Sequence, residues 1–526
     1  MNIKDGIQGS LLFWALGRLG YIASNSRIFN ISLNQGTRLK DTEKGTWIDT
    51  SAFYSLIRWL DSILQRIEGL LYRSISRSRL LSWVVADRIR EDKSRNDTSL
   101  LSSSILANSI GTLVKGLSFT DVLAVSIGFY MVIDYFIRRV PGLSVFGSVW
   151  DELLLIFAIF YVFLSRIRSS GRIKLNLTPM DLPVTIYLIL GVSHVFIRAL
   201  DLGVAVEGFR AVFQHILWYF AATQLIRDED TAEKVVDGMI VMGLFLGLHA
   251  VYQYVMKVPM PGNWVDTAEN ITTRAYSIIG SPNILGVIFV LIINFAMART
   301  LASKNWKHRA FYGGSALVMI AGLLFTMSRG AWLAFAFGVG IFTILLIPKL
   351  IIPLFGAGAG FVLFGGALSE RLLYMMSPVY LMKSAAGGRL YRWAIGLELW
   401  TRNKLFGVGL GRFGGAVAIN NRLAPFYLDN YYLKTLVEMG IYGVAALLFV
   451  IICFVVSSIK AIGNQHTING RIMTIGLFSG AMGVLAQNSV ENIFEVPGMV
   501  VYFWLTVALI NAYGKSKIEV SDGRGN

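Results

Sequence analysis

The sequence predicts an all-α polytopic membrane protein with about twelve transmembrane helices and one long polar loop between the ninth and the tenth. Three observations predict it. Of the 526 residues, 55% are hydrophobic and only 15% charged, with a mean hydropathy of +0.59, which leaves too little polar surface for a soluble domain of this length. From Ser118 onward, apolar stretches of the length needed to cross a bilayer, about 20 residues, follow one another closely. The interval from Ser369 to Gly443 breaks that regularity and is basic. Between Glu370 and Arg422 it holds Arg371, Lys383, Arg389, Arg392, Arg402, Lys404, Arg412 and Arg422 against Glu370 and Glu398, a net excess of six charges (eight minus two).

Residues 1–117 contain no run long enough to span. They do contain Leu56, Leu60, Ile63, Ile67, Leu70 and Leu71 at helical spacing, interleaved with Arg58, Arg66, Arg73, Arg77 and Arg79. That pattern suits a basic amphipathic helix on an anionic inner leaflet, or equally one packed on the transmembrane bundle. The stretch from Glu91 to Ser104 reads as a linker. No cleavable signal peptide is expected, because the apolar run at Leu11–Leu16 is short and ends at Arg18. The net charge of +16 fits cytoplasmic loops and anionic headgroups, and no nucleic-acid partner is expected. The single cysteine, Cys453, lies in an apolar segment and excludes a disulfide frame and a thiolate metal site.

The predicted spans lie near 118–137, 145–164, 182–199, 207–226, 235–255, 276–298, 309–328, 330–348, 350–368, 432–458, 471–489 and 496–512, the fourth being weakest because it contains Arg210 and His215. The domains follow: an amino-terminal region 1–117, a transmembrane domain 118–512 with its loop at 369–431, and a tail 513–526. Basic residues after the second, sixth, eighth and tenth spans, together with Lys515 and Lys517, fall on one side. The positive-inside bias therefore puts both termini in the cytoplasm and the long loop outside, with Arg138 and Arg139 as the exception.

Four stretches at the outer end could carry chemistry. In RAYSIIGSPNILG (274–286), Ser281 is a candidate N-cap with Pro282 after it, which would point a positive helix end outward, either as an anion site or as a plain capped start. In TMSRGAW (326–332), Arg329 sits between apolar runs, where a guanidinium lines a polar cavity or snorkels to the interface, and Gly330 permits a tight turn. In GGRLYRW (387–393), Arg389 and Arg392 share a helix face, an arrangement suited to phosphate oxygens. The glycine-rich FGVGLGRFG (406–414) can bring backbone N–H groups to a ligand. Asp429, ahead of the tenth span, is a candidate general base or a candidate N-cap. Asp228-Glu229-Asp230 reads as solvated charge rather than a metal motif.

In this order, R-x5-G-x-PN, SRGAW, a loop with GGR and a G-x-G-x-G-x-F turn, then DNYYLKTLVEMGIYG, the chain from about Val204 to Ile510 resembles the O-antigen ligase and polymerase superfamily. The resemblance implies a GT-C-like, inverting, metal-independent glycosyltransferase without cofactors in the inner (cytoplasmic) membrane of a bacterium. Its donor would be a glycan on a polyprenyl diphosphate, its acceptor a glycan or lipid hydroxyl. Membrane lipids and other polysaccharide-assembly proteins are candidate partners. Carried over by position, Arg329 and Arg389 would hold the departing diphosphate and Asp429 would take the acceptor's proton. Arg274, Arg392, Asn283, Asn430 and Tyr432 are candidate substrate contacts. The HN-x-YL element of many relatives is Asp429-Asn430-Tyr431-Tyr432-Leu433 here, with aspartate in place of histidine. The rival reading is a multi-span transporter or flippase of lipid-linked glycans. Against it, the halves show no internal repeat and the polar residues gather at one face.

Overall fold

The computed structural model describes Arg66 and residues 118–170, 175–198, 200–259, 273–364 and 366–514. Apart from Arg66, the amphipathic pattern at 56–79 lies outside the described residues, as do the linker and the tail from residue 515. The described residues are helical throughout, with no strand among them. The chain forms two compact units, the smaller comprising 1–71 and 160–175, the larger 72–159 and 176–526. Of the smaller, the described part is essentially the second half of one helix, α3 (Trp150–Ser170).

The remaining helices are α1 (Phe119–Gly128), α2 (Tyr130–Arg139), α4 (Asp181–Ile197), α5 (Leu202–Val212), α6 (Leu217–Leu225), α7 (Glu229–Val255), α8 (Pro282–Ala302), α9 (Trp306–Phe325), α10 (Arg329–Leu346), α11 (Ile351–Phe364), α12 (Ala367–Tyr374), α13 (Pro378–Ala385), α14 (Arg389–Arg402), α15 (Ala416–Asn420), α16 (Tyr431–Asn464), α17 (Ile468–Gln487) and α18 (Pro497–Gly514). Seven of the described helices, α7, α8, α9, α10, α16, α17 and α18, are long and apolar enough to cross a membrane, and eight if the bent pair α1–α2 is one span. This makes the chain a polytopic helical membrane protein. The other stretches of the predicted twelve are α3, the 17-residue α4, the interrupted α5–α6 and the 14-residue α11.

The interruption in the fourth stretch has a physical reason. Arg210 at the end of α5 donates to Glu152 of α3 at 2.7 Å, and buried His215 lies 3.0 Å from Asp151. Two polar side chains within an apolar stretch are tolerated where each finds a partner, and the helix breaks at Gln214–Ile216, the segment that holds His215. Asp228, the first member of the acidic triplet, caps α7 by accepting from the Thr231 N–H at 2.8 Å.

α8 forms the core of the larger unit. Its residues from Leu285 to Phe295 are buried on every face, as expected of a helix surrounded by other helices. It packs on α17, where Gly476 and Gly480 admit it closely. A Cβ there would stand 2.8 Å from the Asn294 carbonyl and 2.7 Å from that of Leu291. Small residues at such a seam let helices approach where lipid removes the hydrophobic drive to associate. Leucine, isoleucine and phenylalanine on the outer faces of α9, α10 and α16 (Leu317, Phe337, Ile344, Ile452) remain exposed, as a lipid-facing surface requires.

The long loop is a folded cap. Its hydrophobic centre, Phe413, Ala418, Ala424 and Leu428, closes on Val437 of α16, with Trp393, Ile395 and Leu399 of α14 packed around it. Beneath this cap lies a buried ion cluster. Lys434 pairs with Glu438 one turn on and with Glu495, between α17 and α18, at 3.1 Å, and the side chains are at most 6% exposed. Glu438 also accepts from the Phe413 N–H at 3.0 Å, tying the cap to the cluster. Lys434→Met leaves two buried carboxylates without their cation and is expected to cost about 3–5 kcal/mol. Thermal unfolding of the purified protein in detergent should show the loss, and adding Glu438→Gln and Glu495→Gln should recover most of it.

Candidate active site

Three helix starts meet at one end of the larger unit. At α8, Ser281 caps by accepting from the Ile284 N–H at 3.4 Å and Pro282 follows, as the sequence predicts. Asn283, on the first turn, is tied on both sides. Its amide oxygen accepts from Arg274 Nη2 at 3.0 Å and its amide nitrogen donates to Glu491 Oε2 at 2.7 Å. Arg274 also donates from Nε to the Thr326 carbonyl at 2.9 Å.

At α10, Arg329 is the first helical residue. The sequence reading gave the turn before it to Gly330. The structure turns instead at Met327, which carries φ +54°, and Gly330 lies inside α10. What glycine provides at 330 is room: a Cβ would stand 2.9 Å from Val490 and 3.1 Å from Gln487. The Arg329 guanidinium lies over the rings of Tyr380 and Tyr374, at 4.9 and 6.0 Å. Arg371 of α12 donates to the Met327 carbonyl at 2.8 Å, so the cap is pinned to the strained residue. At α14, Arg389 is again the first helical residue, after Gly388.

These segments enclose a cavity of about 110 Å³ lined by Arg274, Asn283, Arg329, Arg371, Arg389 and Glu491. Four guanidinium groups face one carboxylate there. The starts of α8, α10 and α14 contribute Asn283, Arg329 and Arg389, so three positive helix ends add to the same potential. Burial draws Arg274 and Arg371 down to about 10, which leaves both charged at neutral pH. The chemistry of such a lining suits a compact multivalent anion.

Asp429 stands at the edge of this cavity, next to Arg389 and Arg392. Its Oδ2 is 3.6 Å from Arg389 Nε and 3.3 Å from Arg392 Nη1, and Arg392 also donates to the Tyr427 carbonyl at 3.1 Å. Asp429 does not cap α16. The cap is Asn430, whose side chain accepts from the Leu433 N–H, and Asp429 carries φ +55°. Burial raises the Asp429 carboxyl above its ordinary range, against the opposing pull of the Arg389 and Arg392 charges. Glu491, whose Oε2 is 4.0 Å from Arg389 Nη2, is pushed up to about 7, first by burial and then by the charge of Asp429. A carboxylate that gains a proton near neutrality beside a second carboxylate can exchange one with an incoming hydroxyl.

Of the residues singled out from sequence, Arg274, Asn283, Arg329 and Arg389 line the cavity, and Asp429 and Arg392 adjoin it. Asn430 caps its helix and accepts nothing from the cavity in this arrangement, while Tyr432 donates its hydroxyl to the Leu485 carbonyl at 2.7 Å. Glu491 and Gln487 were not singled out, and Arg371 was counted only in the loop's charge. Glu491 had a legible signal, since counting spans puts NSVEN, between the eleventh and twelfth, at the same end as Asp429. The glycine-rich turn does something other than cradle a ligand. Its N–H groups at Val408 and Gly409 go to the Val437 and Glu438 carbonyls, both at 2.9 Å. A Cβ on Gly407 would stand 2.4 Å from the Glu438 backbone. The turn locks the cap onto α16.

Residues 314–448 match the family model described as O-antigen ligase. The match runs from within α9 into α16. It takes in Arg329, Arg371, Arg389, Arg392 and Asp429 and stops short of Arg274, Asn283 and Glu491. No curated protein is significantly similar to the chain. The matched O-antigen ligase domain thus lies across the arginine-lined cavity.

Proposed function

We propose that the chain is an inverting glycosyltransferase that needs no metal and moves or polymerises a polyprenyl-diphosphate-linked glycan at the extracytoplasmic face. The observation that carries this reading is the cavity itself: four arginines and three helix starts around a small volume, with a carboxylate at its rim. In the reaction, the acceptor hydroxyl oxygen bonds to the anomeric carbon while the bond from that carbon to the diphosphate oxygen breaks. The electron pair leaves with the diphosphate, and the acceptor's proton goes to Asp429. Arg274, Arg329, Arg371 and Arg389 oppose the charge that grows on the leaving oxygen, a role in which fixed cations act without reorganising. Two or three charge-assisted bonds of about 1.5–3 kcal/mol each, strengthening as the bond breaks, suffice for a large rate effect.

Asp429 replaces the histidine of many relatives, and its environment suits the exchange. An ordinary aspartate is a weak base. Burial strengthens it, while the charges of Arg389 and Arg392 pull the other way and favour the carboxylate form. The positive-inside count supports an outward cavity. The family match supports the donor class.

Reconstitution with a purified polyprenyl-diphosphate oligosaccharide tests the reading, and the fate of the product distinguishes extension on the same lipid from transfer to another acceptor. Arg329→Ala and Arg389→Ala should each lower turnover by about 10²–10³-fold at unchanged protein abundance. Normal product from both would refute the roles given to the two arginines, and no product from the wild type would favour a transporter. Asp429→Asn should stop turnover and leave donor binding intact. Because Asn430 is the cap, helix formation is no alternative cause of that loss. The acidic limb of kcat/KM against pH should report Asp429 losing its proton as pH rises. Removing a neighbouring cation raises that carboxyl further, so Arg392→Gln should move the limb upward by about one pH unit.

A further inference from the structure

Asp429 also adjoins a second concavity, through Arg392. The Arg392 guanidinium, 3.3 Å from Asp429, lies over the Phe426 ring at 5.7 Å. Phe426 meets Phe413 edge to face at 5.9 Å, and both rings line a groove of about 520 Å³. Tyr391, Ile395 and Leu399, one stripe of α14, form its other wall, with Arg412 as its charged member. Arg389 and Arg392 therefore divide the work of one helix start: Arg389 lines the cationic cavity, Arg392 adjoins the aromatic groove, and the carboxylate sits between them.

We propose that this groove binds the acceptor saccharide. The inference rests on the glycosyltransferase reading above and adds to it the location of the second substrate. Inversion requires the incoming hydroxyl and the departing diphosphate on opposite sides of the anomeric carbon, with the base on the hydroxyl's side. Asp429, set against Arg389 of the cationic cavity and reaching the Phe426 ring of the largely apolar groove through Arg392, meets that requirement. The groove's chemistry favours sugar. Aromatic faces take the C–H faces of pyranose rings, and a guanidinium donates to hydroxyls or to an acidic sugar's carboxylate. Its position disfavours a lipid chain, because every lining residue belongs to the cap between α11 and α16 and none to a helix able to span the membrane.

The test uses the full chain in detergent and oligosaccharide fragments released by mild acid from the host strain's own surface polysaccharide. Saturation-transfer NMR should show binding to the wild type. Tyr391→Ala and Ile395→Trp, which remove one wall and fill the groove, should each weaken it by about tenfold or more. Tyr391→Phe, which keeps the ring, should retain it, and donor binding should be unaffected in all three. Fragments that bind both damaging variants as tightly as wild type would overturn the proposal. So would displacement of the fragments by polyprenyl monophosphate, which would identify a lipid site. Absence of glycosyl transfer by the wild type in the reconstituted reaction would strike at the glycosyltransferase reading instead, and is scored separately from fragment binding.

Discussion

Gathering like charges in a confined space is the constraint around which this structure is arranged. Two guanidinium groups about 4 Å apart at an effective dielectric near 20 repel by about 4 kcal/mol, and four around a cavity of about 110 Å³ would disperse if left alone. Each is instead tethered. Arg274 is held by the Thr326 carbonyl and Asn283, Arg371 by the Met327 carbonyl, Arg329 by two tyrosine rings, and Arg389 by Asp429 and Glu491. Three of the four are held by neutral groups and only Arg389 by carboxylates, so the geometry is fixed while most of the positive potential remains. A dianion entering the cavity would relieve a repulsion already present in the folded protein.

That arrangement needs a rigid cap, because two of the four arginines come from the loop. Rigidity comes from below. The Lys434–Glu438–Glu495 cluster, the glycine turn pressed against α16 and the aromatic centre around Phe413 form one continuous contact. Gly440, at φ +67°, bends α16 where the Leu405 carbonyl presses on it, and a Cβ there would stand 2.2 Å from that oxygen. The scaffold and the site are thus coupled through α16. Its first turns carry the ion cluster, and the residue just ahead of its cap is Asp429.

Legibility from sequence varied by kind of residue. Arg329 could be picked out because a cation between apolar runs is costly and so conspicuous, and Arg389 because it shares a helix face with Arg392. Glu491 was harder to see. It follows a span, as loop carboxylates commonly do, and only the fold shows it accepting from Asn283 and close to Arg389. The glycines of 406–414 were legible as a turn but not in purpose, since the same spacing serves a phosphate cradle or a tight packing seam. Which one it is depends on what lies opposite, here the backbone of α16. Asp429 illustrates the same limit one residue at a time: base and cap were equally open until Asn430 was seen to cap the helix.

The sequence by itself determined a helical, multi-span membrane protein with an unusually basic interval near its carboxyl-terminal third, because hydropathy and charge are local properties of the chain. It also determined which cations were too expensive to be incidental. The tertiary structure alone decided that helix starts separated by more than a hundred residues share one cavity, and that a carboxylate from beyond the matched domain closes it. It also decided that the cap's aromatic side faces a second concavity. Those are statements about which segments are neighbours, and neighbourhood between distant segments follows from packing, not from the order of residues.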